Sequence, residues 1–172
     1  MANAPALLGA GRFTTTAEAR AARKAAGAPP PGGTTKIIRP FGGRSGGPTP
    51  YVLVSNAARL AAADWARVLA VVVTGEEWQF QGWPMVTASL RGGGGGGGGI
   101  KAVPGGVLEA LRAVHGVYFH YLDEPVRGGV GHWPITRVAL AREKRHEDPR
   151  AVEAFWRSID DWARAKAPHL EY

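Results

Sequence analysis

The stretch DWARVLAVVVTGEEWQFQGWP, residues 64–84, decides the fold. Its first half contains RVLAVVV (67–73), an almost unbroken run of branched apolar residues without polar alternation. Such a run is too short for an ordinary helix and is typical of a central strand covered on both faces. In the second half, Gly75, Gly82 and Pro84 mark turns. The sequence therefore predicts a buried strand followed by a loop rich in aromatic residues.

The segments on both sides of this strand are predicted to alternate between strand and helix. The apolar residues at 104–121 recur at helical spacing, and Asp148-Pro149 is a strong helix start because an N-cap acceptor precedes a proline at the first helical position. Besides the buried strand, six elements are predicted: strands over 34–41, 51–55 and 133–141, and helices over 15–26, over 104–121 and from Asp148. Strands that alternate with helices predict an α/β layered fold.

Composition restricts the class of protein. The chain has 172 residues, which is the size of one domain with a sizeable core. It contains no cysteine, so disulfides, thiolate metal sites and a cysteine nucleophile are excluded. We find no apolar run long enough for a membrane span and no secretory signal at the N-terminus.

Glycine and proline are abundant but clustered, with 25 and 13 residues, respectively. We expect residues 1–50 to be a basic, Gly/Pro-rich and partly flexible part of the domain, and residues 51–172 to form its core. Eight consecutive glycines occupy positions 92–99. Because polyglycine loses much backbone entropy on ordering and buries no side chain, we expect a disordered insertion at 91–99.

The net charge of +7 belongs to the first third of the chain. Residues 1–63 carry eight basic residues and one acid, whereas residues 64–172 carry thirteen of each sign. One interpretation is a solvated arm. The alternative is attraction to a polyanion, such as nucleic acid bound through residues 1–63 or a phosphorylated peptide.

Motifs for catalysis or cofactor binding are weak. GAGRFT (9–14) lacks the third glycine of a dinucleotide fingerprint, and no Gly-Lys-Ser/Thr tripeptide of a P-loop occurs. The five histidines have no metal-ligand spacing, and no serine lies in a nucleophile elbow. We therefore expect no enzymatic activity, no cofactor and no metal.

Two clusters remain as candidates for binding. Trp78, Phe80 and Trp83 lie in the loop after the buried strand, where aromatic rings more often cover a core edge than bind a ligand. Lys144-Arg145-His146 lies just before the last helix and is either a solvated turn or part of a surface for phosphate.

Residues 64–84 resemble the C-terminal domain of the parafibromin family, a subunit of the RNA polymerase II-associated factor (Paf) complex. That family has an Asp-Trp-x-Arg-Val-hydrophobic-Ala-Val stretch, then Gly and Trp-Gln-Phe-Lys-x-Trp-Pro, and Gln81 here replaces the family lysine. The matching positions of this first block are Asp64, Trp65, Arg67, Val68, Ala70, Val71, Gly75, Trp78, Gln79, Phe80, Trp83 and Pro84. A second block matches at Lys144, Arg145, His146, Asp148, Phe155, Trp156, Asp160, Pro168, His169 and Leu170. Residues 1–50 match only loosely.

The resemblance implies a Ras-like (GTPase-like) fold that lacks the nucleotide-binding motifs. It also implies a non-enzymatic nuclear module that helps attach the Paf complex to elongating RNA polymerase II and thereby supports histone modification. The implied partners are phosphorylated repeats of the polymerase or of an elongation factor, and other Paf subunits through a region absent here. The alternatives are a divergent small GTPase-like nucleotide-binding protein and a basic nucleic-acid-binding module.

Phosphopeptide recognition requires donors for the phosphate and aromatic surface for proline or tyrosine. The candidate residues for this surface are Arg67, Trp78, Gln79, Phe80, Trp83, Lys144, Arg145 and His146. The alternative interpretation is that Arg67 forms an ion pair, for example with Asp64, and that the basic turn is merely solvated. The residues predicted to be buried are Trp65, Val71, Val73, Phe155, Trp156 and Trp162.

Overall fold

The structure, a computed structural model, describes residues 3–28, 33–40, 42–43, 46–86, 104–126 and 128–170. The octaglycine and the predicted insertion at 91–99 lie outside these residues. Contacts divide the chain into two compact units: unit 1 is Met1–Arg59 with Leu140–Tyr172, and unit 2 is Leu60–Ala139. The predicted division of the domain after residue 50 stays a prediction.

The described residues combine helices with strands, as expected for an α/β protein. The helices that lie wholly within the described residues are α1 (Thr16–Ala25), α2 (Pro104–Ala113) and α3 (Asp148–Lys166), and the strands there are β1 (Thr34–Arg39), β2 (Thr49–Val54), β3 (Ala70–Val72), β4 (His115–Tyr121) and β5 (Ile135–Leu140). Short helical turns join them at Pro5–Gly9, Ala57–Arg59, Ala62–Arg67, Glu77–Phe80, Gly128–His132 and Arg145–Glu147.

Unit 1 is built on an antiparallel hairpin of β1 and β2, which pair from Thr34↔Val54 to Arg39↔Thr49. Trp156 of α3 lies at the centre of this unit and is almost fully buried. Its ring is 4.7 Å from that of Tyr51, and its indole Nε1 donates a hydrogen bond of 3.0 Å to the carbonyl of Leu8. The last helix therefore holds both the hairpin and the N-terminal segment.

A buried ion pair also joins the hairpin to α3. The guanidinium of Arg39 donates to both carboxylate oxygens of Asp160, at 2.6 and 2.7 Å, and lies 5.0 Å from the Trp156 ring centroid. The hydrogen bond to Asp160 is the main cause that raises the pKa of Arg39. Because the arginine stays charged in an apolar setting, the pair fixes how the hairpin and the helix meet.

Unit 2 contains a three-stranded sheet in the order β3–β4–β5. β3 and β4 are parallel, with Ala70 opposite His115, and α2 immediately precedes β4. Gly116 lies where β4 is crowded, since a Cβ there would overlap the side chains of Ile135 and Leu111. The core side chains of this unit include Val73, Phe80, Trp83, Val107, Leu111, Val114, Val117, Val130 and Val138.

The prediction of one helix over 104–121 is wrong for its second half, because residues 115–121 form β4. Three consecutive residues of this segment, 116–118, are buried in β4, so its apolar residues serve a buried strand instead of one face of a helix. Gly116 weakens a helix, and the following Val117, Tyr118 and Phe119 favour a strand. Pairing with β3, which lies more than 40 residues away, then decides the outcome.

Smaller differences concern strand length and burial. The strand predicted at 67–73 is reduced to Ala70–Val72, because residues 62–67 form a helical turn whose Asp64 carboxylate accepts from the Ala61 N–H. Val72 is exposed, so β3 is not covered on both faces. Burial is confirmed for Val73, Phe155 and Trp156, whereas Trp65, Val71 and Trp162 are half-buried.

Candidate functional site

Two of the three predicted aromatic site residues belong to the core of unit 2. Phe80 and Trp83 are 1% and 4% exposed. Their ring centroids are 5.0 Å apart, and Trp65 and Trp133 complete the cluster at 4.9 Å from Trp83 and 5.7 Å from Phe80. Buried rings cannot contact a partner directly, so Phe80 and Trp83 support the neighbouring surface.

Trp78 is different, because 63% of it is exposed. It lies in the helical turn Glu77–Phe80, two residues before the buried Phe80. Among the described residues it is the one aromatic side chain that is mostly exposed. An exposed indole on a turn with a buried anchor offers a rigid apolar surface to a partner.

Gln79 fixes the turn that carries Trp78. Its Oε1 accepts from the backbone N–H of Thr74 at 2.9 Å, and its Nε2 donates to the carbonyl of Val72 at 2.8 Å. The Thr74 hydroxyl also donates to Oε1, at 3.2 Å. Because both ends of the amide are used within the protein, Gln79 positions its neighbour and is not itself available to a ligand.

Arg67 ends the helical turn Ala62–Arg67 and is exposed. The ion pair considered with Asp64 is not formed in the described part of the chain, where the Asp64 carboxylate caps the turn through the Ala61 N–H. Arg67 is therefore a charged donor at the surface of unit 2.

The basic turn Lys144-Arg145-His146 lies in unit 1, and Arg145 is held firmly there. Its Nε and one terminal nitrogen donate to the carbonyl of Arg142 at 2.9 and 2.7 Å, and its guanidinium lies 4.7 Å from the Phe13 ring centroid. A further nitrogen is 3.6 Å from the buried carboxylate of Asp148. Arg145 therefore has a structural role in this turn.

Lys144 and His146 flank this anchor and point outward, with side chains 64% and 77% exposed. Each lies 3.8 Å from Glu147, a distance that gives only a weak, solvent-screened contact. The structure thus separates the basic turn into one anchored cation and two available side chains. Arg67 and the aromatic residues belong to unit 2 and this turn to unit 1.

Sequence reasoning missed the residues that anchor the basic turn. The backbone N–H of Phe13 donates to the Asp148 carboxylate at 3.0 Å, and the Phe13 ring lies beneath Arg145. These partners are 135 residues apart along the chain. The Asp148-Pro149 helix start was the only local signal, and it predicted a cap for α3, not a contact with the N-terminal segment.

The described residues contain no group of three or more His, Asp or Glu side chains arranged to hold a metal ion. Burial lowers the pKa of His115, at the start of β4, which favours its neutral form. No helix in the described ranges is long and apolar enough to cross a membrane.

Comparison with solved structures defines the class of protein first. The conserved domain of yeast Cdc73 matches with a TM-score of 0.70 and 23% sequence identity, covering 96% of this chain and 88% of that one. The chain thus has the Ras-like α/β fold of that domain, as predicted.

The family model described as RNA pol II accessory factor, Cdc73 family, C-terminal, matches residues 1–162. The chain belongs to this family, and the predicted relation to parafibromin is confirmed. Cell division cycle protein 73 of Caenorhabditis elegans is 32% identical over 119 residues, which are 69% of this chain and 19% of that protein. Cell division control protein 73 of Saccharomyces cerevisiae is 26% identical over 131 residues, 76% of this chain and 28% of that protein. The chain therefore spans less than a third of these relatives.

Proposed function

We propose that this chain is a non-enzymatic interaction module of the Paf transcription elongation complex. In this role it helps attach the complex to elongating RNA polymerase II on chromatin, within the nucleus, and so supports histone modification. Its ligands are phosphorylated repeats of the polymerase or of an elongation factor, and other Paf subunits bind regions outside this chain. Membership of the Cdc73 family supports this role, since the family is described as an accessory factor of that polymerase.

The exposure of Trp78 is the observation that carries the proposal. Phe80 and Trp83 anchor the segment in the core, while Gln79 ties it to β3, so the indole is presented without a large entropy cost on binding. Flat aromatic side chains bind the proline and tyrosine rings of extended peptides. Arg67, in the same unit, is an exposed guanidinium suited to a phosphate.

The test is the affinity of the whole chain for a polymerase-tail repeat peptide, phosphorylated and unphosphorylated, measured by calorimetry. We expect Trp78→Ala to weaken binding of the phosphorylated peptide about tenfold or more, as is usual for an exposed aromatic that becomes buried in an interface. Arg67→Gln should reduce the preference for the phosphorylated form, because it removes a charged donor.

Leu122→Ala is the matched control, since Leu122 is an equally exposed apolar residue of unit 2, at 65%. It should change the affinity less than twofold. If Trp78→Ala binds normally while Lys144→Gln with His146→Gln binds poorly, the peptide site is the basic turn. If neither peptide binds the wild-type chain, the proposed function is wrong.

The divergent GTPase alternative has less support. The sequence contains no Gly-Lys-Ser/Thr tripeptide of a P-loop. Saturable binding of labelled GTP to the wild-type chain would favour that alternative and contradict a purely structural role.

A further inference from the structure

The basic residues in the first third of the chain, residues 1–63, differ in their exposure to solvent. Arg39 is buried against Asp160, and Arg23 is half-buried. By contrast, Arg12, Arg20 and Lys24 are exposed. Lys36 on β1 and Arg59 after β2 are exposed as well, and the largest group of exposed cations in this part of the chain lies on α1 and at its base.

α1 is an exposed helix with no buried residue. Ala19 and Arg23 are its half-buried positions, while Arg20 and Lys24, one turn apart, are exposed on a face that otherwise carries alanine. The single acid, Glu18, closes a capping box with Thr15 at the N-terminus, and the hydrogen bond from the Thr15 backbone is the main cause that lowers its pKa. Glu18 is thus engaged at the start of the helix and leaves the cations at its end uncompensated.

The base of α1 rests on the basic turn before α3. Phe13 is held there by Arg145 and Asp148, and a Cβ on Gly11 would lie within van der Waals contact of Pro149. Lys144, exposed on that turn, therefore belongs to the same neighbourhood of unit 1 as the start of the helix. We group the exposed cations of these two neighbouring segments as the basic surface, defined as Arg12, Arg20, Lys24 and Lys144.

The chemistry of this surface favours one class of ligand. A membrane-binding helix needs large apolar residues opposite its cations, and α1 has only alanine there. Recognition of a single phosphorylated side chain uses converging arginines, whereas Arg20 and Lys24 lie along a convex helix and Arg12 lies before its start. An α-helix with its side chains is about 10–12 Å in diameter, which fits the roughly 12 Å major groove of DNA, while the major groove of duplex RNA is too narrow.

We propose that the basic surface binds the phosphate backbone of double-stranded DNA without sequence preference, with α1 lying along the major groove. Binding is then driven by counterion release and falls steeply with salt. The peptide site proposed at Trp78 is not needed for it, so Trp78→Ala should bind DNA normally.

The experiment measures fluorescence anisotropy of a labelled 30-base-pair duplex of arbitrary sequence, titrated with the whole chain between 50 and 200 mM salt. Each phosphate contact contributes about 0.9 to the slope of log affinity against log salt. The double variant Arg20→Gln with Lys24→Gln should therefore lower the slope by about 2. Glutamine is a good helix former, and circular dichroism checks that α1 is retained.

The matched control is Arg157→Gln with Arg164→Gln on α3, which removes the same charge from unit 1. Both arginines are exposed but already paired with acids of their own helix, Glu153 at 2.8 Å and Asp161 at 3.2 Å. The control should keep the wild-type slope. Should the α1 variant lose helix content, Arg12→Gln with Lys144→Gln, outside the helix, gives a second test with the same expected loss of about 2.

The proposal is wrong if the wild-type chain shows no salt-dependent binding to the duplex, or if the control lowers the slope as much as the α1 variant does. It is also wrong if duplex RNA, the phosphorylated tail peptide or vesicles with 30% phosphatidylserine bind more tightly than DNA and lose that binding in the α1 variant. Whether or not DNA binds, the peptide affinity of Trp78→Ala is measured separately, so the two proposals can fail independently of each other.

Discussion

Arg39 and Asp160 show how single residues hold unit 1 together. Both hydrogen bonds of the pair are short, and the two side chains are only 8% and 18% exposed. A buried ion pair stabilises the folded state little more than apolar residues of similar size would. Removal of one partner is costly, however, because it leaves the other charge buried without a counter-charge. The pair therefore specifies how the hairpin and α3 meet and makes that contact sensitive to mutation.

Asp160→Asn should lower the free energy of unfolding by about 3 kcal/mol, because the buried guanidinium loses its counter-charge. Asp161→Asn, one residue further along α3, removes an exposed carboxylate that pairs with Arg164 and should cost less than about 0.5 kcal/mol. Urea unfolding of the two variants gives both values. Equal effects of the two changes would contradict the structural role of the buried pair.

The candidate site could be predicted from the sequence only in part, for reasons visible at single residues. The segment 78–83 was identified, but three aromatics in one loop do not reveal that Trp78 is exposed while Phe80 and Trp83 are buried. The basic residues 144–146 were identified too. However, which of them is anchored and which are exposed depends on Phe13, a residue that is distant in sequence. Local patterns name candidate side chains, and long-range packing decides which ones remain available.

Secondary-structure elements show the same division between local and distant causes. The start of α3 near Asp148 was predicted from an acidic residue before a proline, and α1 from its alanine content. The predicted cap is wrong, because Asp148 is the first helical residue and its carboxylate accepts from the Phe13 N–H. The end of α2 at Ala113 was not predicted, because the helical spacing of apolar residues continues into β4. Parallel pairing of β4 with β3 is a contact between residues far apart in sequence, and the spacing of apolar residues within one segment does not reveal it.

Gly116 tests the packing of β4 against its neighbours. Gly116→Ala should lower the free energy of unfolding by about 1–3 kcal/mol, because the added methyl group overlaps Ile135 and Leu111 and forces both to move. Thermal or urea unfolding of the purified variant measures the loss.

The comparison variant is Gly131→Ala, where no atom lies within 4 Å of the added Cβ. It should be neutral or slightly stabilising, since alanine reduces the entropy of the unfolded chain. A Gly116→Ala variant as stable as Gly131→Ala would mean that β4 is not packed as described.

At the scale of the molecule, unit 1 is discontinuous in sequence, since Met1–Arg59 is completed by Leu140–Tyr172. The hairpin and the N-terminal segment have their buried faces against α3, and Trp156 contacts both through Tyr51 and Leu8. Residues 1–59 therefore cannot be expected to form a stable structure without the last helix, because a lone hairpin is at best marginally stable.

Trp156→Ala should lower the free energy of unfolding by about 3–5 kcal/mol, the range for removing a large buried aromatic side chain. Hydrogen exchange of the β1 and β2 amides should accelerate in this variant, since the hairpin loses its cover. Trp156→Phe, which keeps a ring beside Tyr51 but not the bond to Leu8, should cost less than half as much. A loss below about 1 kcal/mol for the alanine variant would show that the helix does not close this unit.

The amide of Gln79 has a consequence for the chain in concentrated solution. The N–H of Val73 donates to the Val117 carbonyl, and the carbonyl of Leu69 accepts from the His115 N–H. The Val72 carbonyl and the Thr74 N–H therefore face away from β4, and both form hydrogen bonds with the side-chain amide of Gln79. An extended segment of a second molecule would need these same two groups to add itself to the sheet. Gln79 therefore occupies the groups through which a second chain could pair with this edge, and we expect its loss to reduce solubility as well as to loosen the turn that carries Trp78.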